Sequence, residues 1–212
     1  AMNTNKPYFS VIICCFNSEK FIRETIDSVI KQTYSDWEIV TVNDGSSDNT
    51  ENIIKDYISK GVNINYFFQE NRGFANARNK CLDLAKGEWI VIIDHDDICL
   101  PKRLEIQAAQ IKKNPSSKLF FGDTIHFSEN GDIKNQFSTI DFSKIELEKN
   151  KAANSLLKYG CFIDSEGVMF NKAAALEVGG FDERYSYISD YDFFVKMGRL
   201  YDFSYTKEDL SK

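Results

Sequence analysis

The chain has 212 residues, of which 42% are hydrophobic and 14% aromatic, so it has enough apolar side chains for a packed core and too many for a disordered chain. Its net charge of −6 argues against a nucleic-acid-binding protein, which usually carries a basic face. An acidic protein that binds an anionic ligand needs a metal ion or a well-placed arginine beside it.

Residues 1–8 are polar and give no signal peptide. The apolar run Trp89–Ile93 is far shorter than the roughly 20 residues of a membrane span. We therefore expect no transmembrane segment and a cytoplasmic location, with peripheral attachment to the inner face of the membrane as the alternative. The five cysteines form no CxxC pair, and we expect buried, reduced thiols.

Four short apolar runs in the first half are typical of buried strands: Phe9–Cys15, Trp37–Val42, Asn63–Phe68 and Glu88–Ile93. Stripes of apolar residues at helical spacing lie between them. The first helix would be capped by Asn17 or Ser18, the second by a capping box of Asp48 and Glu51, and the third would stop at Gly87. Strands alternating with helices predict an α/β fold whose sheet is mainly parallel, with helices on both faces.

The second half is less regular. We predict a helix from Pro101 to Lys113, a strand from Lys118 to Phe127, a turn at Glu129–Asp132, moderate helicity over residues 141–158, and a helix from Tyr191 to Tyr201. No internal repeat or linker is visible, which favours a single domain over residues 1–212. The chain ends abruptly in a polar stretch, and a piece of a longer protein is a further expectation.

Acids or other polar groups follow three of the predicted strands, at residues 16–17, 43–48 and 94–97, where a parallel sheet binds its ligands. Asp44 fits a turn, or the acceptor of a hydrogen bond from a nucleobase. Asp94, Asp96 and Asp97 place three carboxylates within four residues. Carboxylates this close repel one another unless a cation offsets their charge, so a divalent cation is the natural partner. The alternative is a solvated acidic turn before the helix at Pro101.

Three other charged residues have two interpretations each. Arg78, on the third predicted helix, suits a phosphate or base contact, or is a surface arginine. Asp190 and Asp192 begin the last predicted helix, where acids are often caps. Near a diphosphate, such a carboxylate would instead take a proton from an acceptor hydroxyl.

Taken together, three segments resemble family 2 of the glycosyltransferases, which have the nucleotide-diphospho-sugar transferase (GT-A) fold. The resemblance covers about residues 8–200. The segments are SVIICCFNSEKFIRETIDSVIKQTYSDWEIVTVNDGSSDNT, ENRGFANARNKCLDLAKGEWIVIIDHDDICLPKRL and SEGVMFNKAAALEVGGFDERYSYISDYDFFVKM. It implies a nucleotide-binding half over residues 8–97 and an acceptor-side half over residues 98–212.

The resemblance also implies roles for single residues. Asp44 would contact the nucleobase beside the backbone at Phe16, and Arg78 would help to hold the nucleotide. Asp94 and Asp96 would form the DxD motif, with Asp94 towards the ribose and Asp96 on the metal, Mn²⁺ or Mg²⁺.

On the acceptor side, Asp190 would be the catalytic base, and Gly179, Gly180 and Phe181 would shape the site. The family often has Glu before the base, where this chain has Ser189, so Asp192 stays open as a second candidate.

These features predict a metal-dependent, inverting glycosyltransferase that moves a sugar from a nucleotide donor to a saccharide or lipid-linked acceptor. By family habit the donor is linked to uridine diphosphate (UDP), with guanosine or thymidine diphosphate as the alternatives. Two alternatives stay open. One is a nucleotidyltransferase of similar fold, although FSVIICCFN lacks its Gly-rich phosphate loop. The other is a domain that binds the donor without turning it over.

Overall fold

The computed structural model describes residues 6–127, 133–134 and 141–212. The strands are β1 (Phe9–Cys15), β2 (Trp37–Asp44), β3 (Ile64–Gln69), β4 (Trp89–Ile92), β5 (Ser117–Thr124), β6 (His126–Phe127), β7 (Ile133–Lys134), β8 (Val168–Asn171) and β9 (Asp202–Ser211). The helices are α1 (Ile22–Ile30), α2 (Thr50–Ser59), α3 (Phe74–Leu84), α4 (Arg103–Lys113), α5 (Lys151–Tyr159), α6 (Lys172–Glu177) and α7 (Ser189–Leu200). Two short 3₁₀ turns cover Phe142–Lys144 and Ser165–Gly167.

Seven of the strands form one sheet in the order β3-β2-β1-β4-β8-β5-β9. The pairs β1–β2, β1–β4, β2–β3 and β5–β9 are parallel, whereas β8 runs antiparallel to both β4 and β5. β6 and β7 form a separate two-stranded ribbon. The prediction of a mixed, mainly parallel α/β sheet is confirmed, and both predicted halves contribute strands to it.

Helices cover the sheet on both faces, as predicted. Ile12 and Cys14 of β1 pack into a core with α3, α5, α6 and α7, while Val11 and Ile13 pack into a second core with α1, α2 and α4. Successive side chains of a strand point to opposite faces. A strand that is buried on both faces therefore needs a continuous apolar run, which explains the sequence of β1.

Some local predictions were wrong. The expected capping box does not form, because Asp48 accepts hydrogen bonds from the backbone and side chain of Thr50, and Glu51 pairs with Lys55. The helical tendency over residues 141–158 is realised as a short 3₁₀ turn at Phe142–Lys144 and as an α-helix only from Lys151 onwards. The predicted turn at residues 129–132 lies outside the described residues.

All five cysteines are free thiols; four are buried and Cys161 is exposed, so the expectation of burial fails at that one position. Among the described residues, no helix has both the length and the hydropathy to cross a membrane.

Gly87 lies where two backbones meet, and it does not end α3. That helix already ends at Leu84, and Ala85 is extended. A Cβ at position 87 would lie 2.6 Å from the Ser10 nitrogen and 2.7 Å from the Phe9 carbonyl carbon. Residue 87 must therefore be glycine for the chain entering β4 to approach β1.

We predict that Gly87→Ala lowers the free energy of unfolding by about 1–3 kcal/mol, because the added methyl group pushes β1 and β4 apart. Chemical denaturation measures this change. The control is Lys86→Ala at the neighbouring, exposed position, which should leave stability within about 0.5 kcal/mol. Equal effects at the two positions would rule out the close approach as the cause.

Candidate functional site

The carboxyl ends of β1, β2 and β4 lie at one edge of the sheet, because these three strands are parallel neighbours. The chain leaves them at Phe16, at Gly45 and through Ile93 into Asp94. In open α/β sheets this edge is where ligands bind. The predicted site residues Phe16, Asp44, Asp94 and Asp96 therefore come from neighbouring strand ends.

Asp44 is 5% exposed and holds the chain between β3 and α3. Its Oδ1 accepts hydrogen bonds from the Arg72 backbone nitrogen at 2.9 Å and Gln69 Nε2 at 2.7 Å, and its Oδ2 accepts one from the Gly73 nitrogen at 3.0 Å. Both carboxylate oxygens thus have partners within the protein. Asp44 fixes the loop that leads into α3, in addition to any contact with a ligand.

Asp44 also lines a pocket of about 230 Å³, which we call the β1 pocket. The other walls are Cys14, Cys15, Phe16, Asn71, Gly73, Phe74, Ala77 and His95. Phe16 and Phe74 are partly exposed aromatic rings on this wall. A narrow pocket with aromatic walls and a carboxylate is suited to a flat heterocycle that carries an N–H group.

Arg78 is 1% exposed, and its guanidinium joins two of the predicted site acids. Nη1 donates to Asp190, and Nη2 donates to Asp94 at 3.2 Å. The guanidinium carbon lies 4.0 Å from the centre of the Phe74 ring and 5.4 Å from that of Phe181. Burial alone would lower the pKa of Arg78, but the carboxylates of Asp190 and Asp94 outweigh it and raise the pKa.

This arrangement was not foreseen from the sequence. The sequence suggested a surface arginine or a nucleotide contact for Arg78, whereas the structure surrounds the side chain with protein carboxylates and aromatic rings. The contacts join α3, the end of β4 and the first turn of α7. Asp94 and Asp190, 96 residues apart in sequence, therefore both pair with the buried guanidinium of Arg78.

Three acids form a group at the end of β4. One carboxylate oxygen each of Asp94, Asp97 and Glu166 lies within 4.8 Å of the others. Asp96 lies outside this group, with its side chain 54% exposed and its Oδ1 3.9 Å from His95 Nδ1. The predicted DxD pair is thus split, and the second acid of the close group is Asp97.

The electrostatics of this acid group fit a divalent cation. Burial, together with the charges of Asp94, Asp96 and Asp164, raises the pKa of Asp97 to about 7. Glu166 Oε2 is buried and has no hydrogen-bond partner among the described residues. Oxygen ligands from carboxylates are those that Mn²⁺ and Mg²⁺ prefer, and a cation would offset the crowded charge.

Glu166 was missed by the sequence analysis. It lies in the segment Asp164-Ser165-Glu166, an acid pair that the sequence analysis did not single out. It reaches the acid group because β8, which follows it directly, inserts antiparallel between β4 and β5. A strand of four residues gives too short a pattern for its place in the sheet to be predicted.

Asp190 lies in the first turn of α7 and is 27% exposed. It lines a second pocket of about 500 Å³, the α7 pocket, with Gly160, Cys161, Ile163, Asp164, Ser165, Tyr187, Ile188, Tyr191 and Phe194. Asp192 is absent from this lining and pairs with Lys196 at 3.0 Å. Of the two candidate bases, only Asp190 faces both the pocket and Arg78.

Gly179, Gly180 and Phe181 lie between α6 and α7, and the Phe181 ring contacts the Arg78 guanidinium. Phe181 is buried and stacks on Phe193 with ring centres 4.4 Å apart. Its backbone exchanges two hydrogen bonds with the Asn79 side chain, and Gly180 is packed so closely there that a Cβ would lie 2.6 Å from Asn79 Oδ1. Gly180 and Phe181 thus fix α3 against the loop before α7, and none of the three residues lines the α7 pocket.

Two curated relatives match almost the whole chain. An uncharacterized glycosyltransferase of Rickettsia typhi is 34% identical over 99% of the chain and 64% of the relative. Another, of Methanocaldococcus jannaschii, is 32% identical over 98% of the chain and 71% of the relative. The chain thus spans about two thirds of the length of these relatives.

Solved structures with the same fold include ligand complexes. TarS of S. aureus, residues 1–349, matches with a TM-score of 0.78 and 25% identity over 96% of the chain and 59% of that structure. TarS has also been solved with UDP and with UDP-GlcNAc. The mannosyltransferase PcManGT of Pyrobaculum calidifontis, in complex with GDP-Man and Mn²⁺, matches with a TM-score of 0.71 and 20% identity over 97% of the chain and 56% of that structure.

The family model for glycosyl transferase family 2 matches residues 10–179, a span that contains the β1 pocket, Arg78 and the acid group. The mixed sheet is that of the GT-A glycosyltransferases. The chain belongs to glycosyl transferase family 2.

Proposed function

We propose that this domain transfers a glycosyl group from a UDP-linked sugar to a hydroxyl group of a saccharide or lipid-linked acceptor, with inversion at the anomeric carbon. The observation that carries the proposal is the shared guanidinium of Arg78. It holds a carboxylate of the acid group, Asp94, beside a carboxylate of the α7 pocket, Asp190. A donor bound at the acid group and an acceptor bound in the α7 pocket would thus meet beside Arg78.

The donor would lie along the sheet edge. Its uracil would occupy the β1 pocket, whose walls include Phe16 and Phe74, with the carboxylate of Asp44 near the N–H of the base. The diphosphate would then extend to the acid group at the end of β4. UDP is the nucleotide bound in the TarS complexes, which supports this choice over the GDP of PcManGT.

Asp94, Asp97 and Glu166 would hold the divalent cation, and Asp96, exposed at the rim, would reach it from outside the group. When bound, a cation there offsets the charge of the diphosphate and of the departing nucleoside diphosphate. Without it, three carboxylates would repel the donor. The cation is thus expected to control donor binding as well as transfer.

Asp190 would remove the proton of the acceptor hydroxyl, whose oxygen attacks the anomeric carbon from the face opposite the leaving group. Arg78 is a positioning residue, since its side chain is buried among protein groups. It keeps Asp190 at a fixed distance from the acid group. Asp192, paired with Lys196, is the less suitable base.

For the cation site, we predict that Glu166→Gln and Asp97→Asn each weaken the Mn²⁺-dependent binding of UDP by at least about tenfold, because each removes a charged oxygen ligand. Calorimetry with and without Mn²⁺ measures the effect. Glu88→Gln, at the opposite end of β4 and exposed, is the matched control and should bind as the wild type does.

Asp96→Asn distinguishes the two possible ligand sets. If Asp96→Asn greatly weakens Mn²⁺-dependent binding and Glu166→Gln does not, the cation is bound by Asp96 of the DxD motif, as the sequence suggests. Binding of UDP with equal affinity in the presence and absence of Mn²⁺ would refute the requirement for a cation.

For the base, we predict that Asp190→Asn leaves UDP affinity unchanged and reduces glycosyl transfer by about 10²–10⁴-fold, the usual range for a general base. Release of UDP from UDP-GlcNAc in the presence of acceptor measures the rate. Asp192→Asn is the matched control and should retain most of the activity. Thermal unfolding of each variant checks that loss of the Arg78 ion pair has not unfolded the domain.

Near-wild-type transfer by Asp190→Asn would contradict this assignment of the base. An anomeric configuration retained in the product, observed by NMR, would exclude a single displacement. Release of pyrophosphate would instead indicate nucleotidyl transfer, and UDP binding without any turnover would indicate a domain that only binds the donor.

A further inference from the structure

Asp164 is a second carboxylate in the α7 pocket, and the proposed mechanism does not use it. It precedes the 3₁₀ turn that carries Glu166, and its side chain is 9% exposed. It lines the α7 pocket from the segment before β8, whereas Asp190 lines it from α7. A ligand in this pocket would therefore meet carboxylates from two different elements.

Two side chains hold the carboxylate of Asp164 in place. Thr124 Oγ1 donates to Asp164 Oδ2 at 2.5 Å, and His126 Nε2 lies 2.6 Å from the same oxygen. His126 Nε2 is also 3.0 Å from Thr124 Oγ1. A carboxylate oxygen only accepts, so the contact between His126 Nε2 and Asp164 Oδ2 is a hydrogen bond in the tautomer that carries the proton on Nε2.

This network fixes the orientation of Asp164. Its Oδ2 receives both bonds, so Oδ1 is the oxygen available to a ligand. A carboxylate that is mostly buried and held by two donors is costly to keep unless it has a function or further partners. A hydroxyl group of a ligand is a suitable partner, since carboxylates form strong hydrogen bonds with hydroxyl donors.

We propose that Asp164 binds a hydroxyl group of the acceptor, that His126 and Thr124 position it, and that the acceptor presents a saccharide to this pocket. The inference rests on the proposed function and names the chemistry of its acceptor. Two carboxylates suit neighbouring hydroxyl groups on one ring. Tyr187, 98% exposed at the same pocket, offers an aromatic face for the apolar side of a sugar.

An aliphatic chain in the same place would cover Asp164 Oδ1 with apolar atoms and offer it no hydrogen bond, which is unfavourable. The saccharide part of any lipid-linked acceptor is thus the part that would occupy the pocket.

Cys161 provides a readout that does not depend on turnover. It lines the α7 pocket and is exposed, whereas the other four cysteines are buried. Iodoacetamide should therefore alkylate Cys161 selectively, and a saccharide in the pocket should slow the reaction. The probes are free N-acetylglucosamine, glucose, galactose and mannose, each tested in the presence of UDP and Mn²⁺.

We expect at least one of these sugars to protect Cys161 in the wild-type protein, and Asp164→Ala to weaken that protection about tenfold through loss of the hydrogen bond. Each rate is compared with the rate of the same variant without sugar. Desolvation, together with the charges of Asp190 and Asp164, raises the pKa of the Cys161 thiol. Replacing Asp164 therefore changes the rate of alkylation even without sugar, and each variant needs its own reference rate.

Conservative variants separate positioning from a general effect on the fold. Thr124→Ser keeps the hydroxyl group and should retain protection, whereas Thr124→Val should lose it. His126→Gln keeps a side-chain N–H and should lose less protection than His126→Leu. Asp182→Asn, which removes a carboxylate paired with Arg184 outside the pocket, should behave as the wild type. Asp164→Asn replaces the alanine variant if thermal unfolding shows the latter to be unfolded.

The inference is overturned if no sugar protects Cys161 while UDP still binds with Mn²⁺, a result that leaves the proposed function intact. Protection unchanged in Asp164→Ala also overturns it. Failure to bind UDP with any cation refutes the proposed function instead. In that case, protection by a sugar that depends on Asp164 would still identify a saccharide site in this pocket.

Discussion

The buried guanidinium of Arg78 is the contact on which the geometry of the candidate site depends. It bonds Asp94 at the end of β4 and Asp190 at the start of α7, and the rings of Phe74 and Phe181 cover it. A buried charge is tolerated only when it is paired, and removal of one partner from such a pair typically costs about 3–5 kcal/mol. The two carboxylates are thereby tied to α3 and to each other.

The acid group at the sheet edge is a second constraint. Its charge is negative, whereas that of the Arg78 guanidinium is positive. Asp94 takes part in both, since it pairs with Arg78 and lies within 4.8 Å of Asp97 and Glu166. One arginine does not neutralise three carboxylates. The pKa of Asp97 is raised by burial first and then by the charges of Asp94, Asp96 and Asp164. A divalent cation would offset the negative charge of the acid group, and the diphosphate of a donor would in turn bind the cation.

The sequence predicted the sheet edge well because that edge depends on local patterns. Phe9–Cys15 is a continuous apolar run that reads as a strand buried on both faces, and its predicted bounds match those observed. Asp44 and Asp94 follow such strands directly, so parallel topology alone brings them together. Bounds of the other predicted strands differ by one to three residues, the largest difference being at the end of β5, because strand ends are set by pairing with neighbours rather than by composition.

Long-range contacts could not be predicted in this way. The partners of Arg78 lie 16 and 112 residues away, and nothing in GFANARN distinguishes a buried bridge from a surface arginine. Glu166 and Asp164 come to the site through the antiparallel insertion of β8, whose four residues carry little signal. The nucleotide contact of Arg78 and the cation contact of Asp96 stay predictions from the family resemblance, which does not report which side chains are paired within the protein.

The most direct test of the account is anomalous diffraction from crystals of the protein grown with UDP and Mn²⁺. We expect one strong manganese peak among the carboxylates of Asp94, Asp97 and Glu166, with uracil in the β1 pocket beside Asp44. A peak coordinated by Asp96 without Glu166, or a nucleotide bound away from the carboxyl ends of β1 and β2, would contradict it.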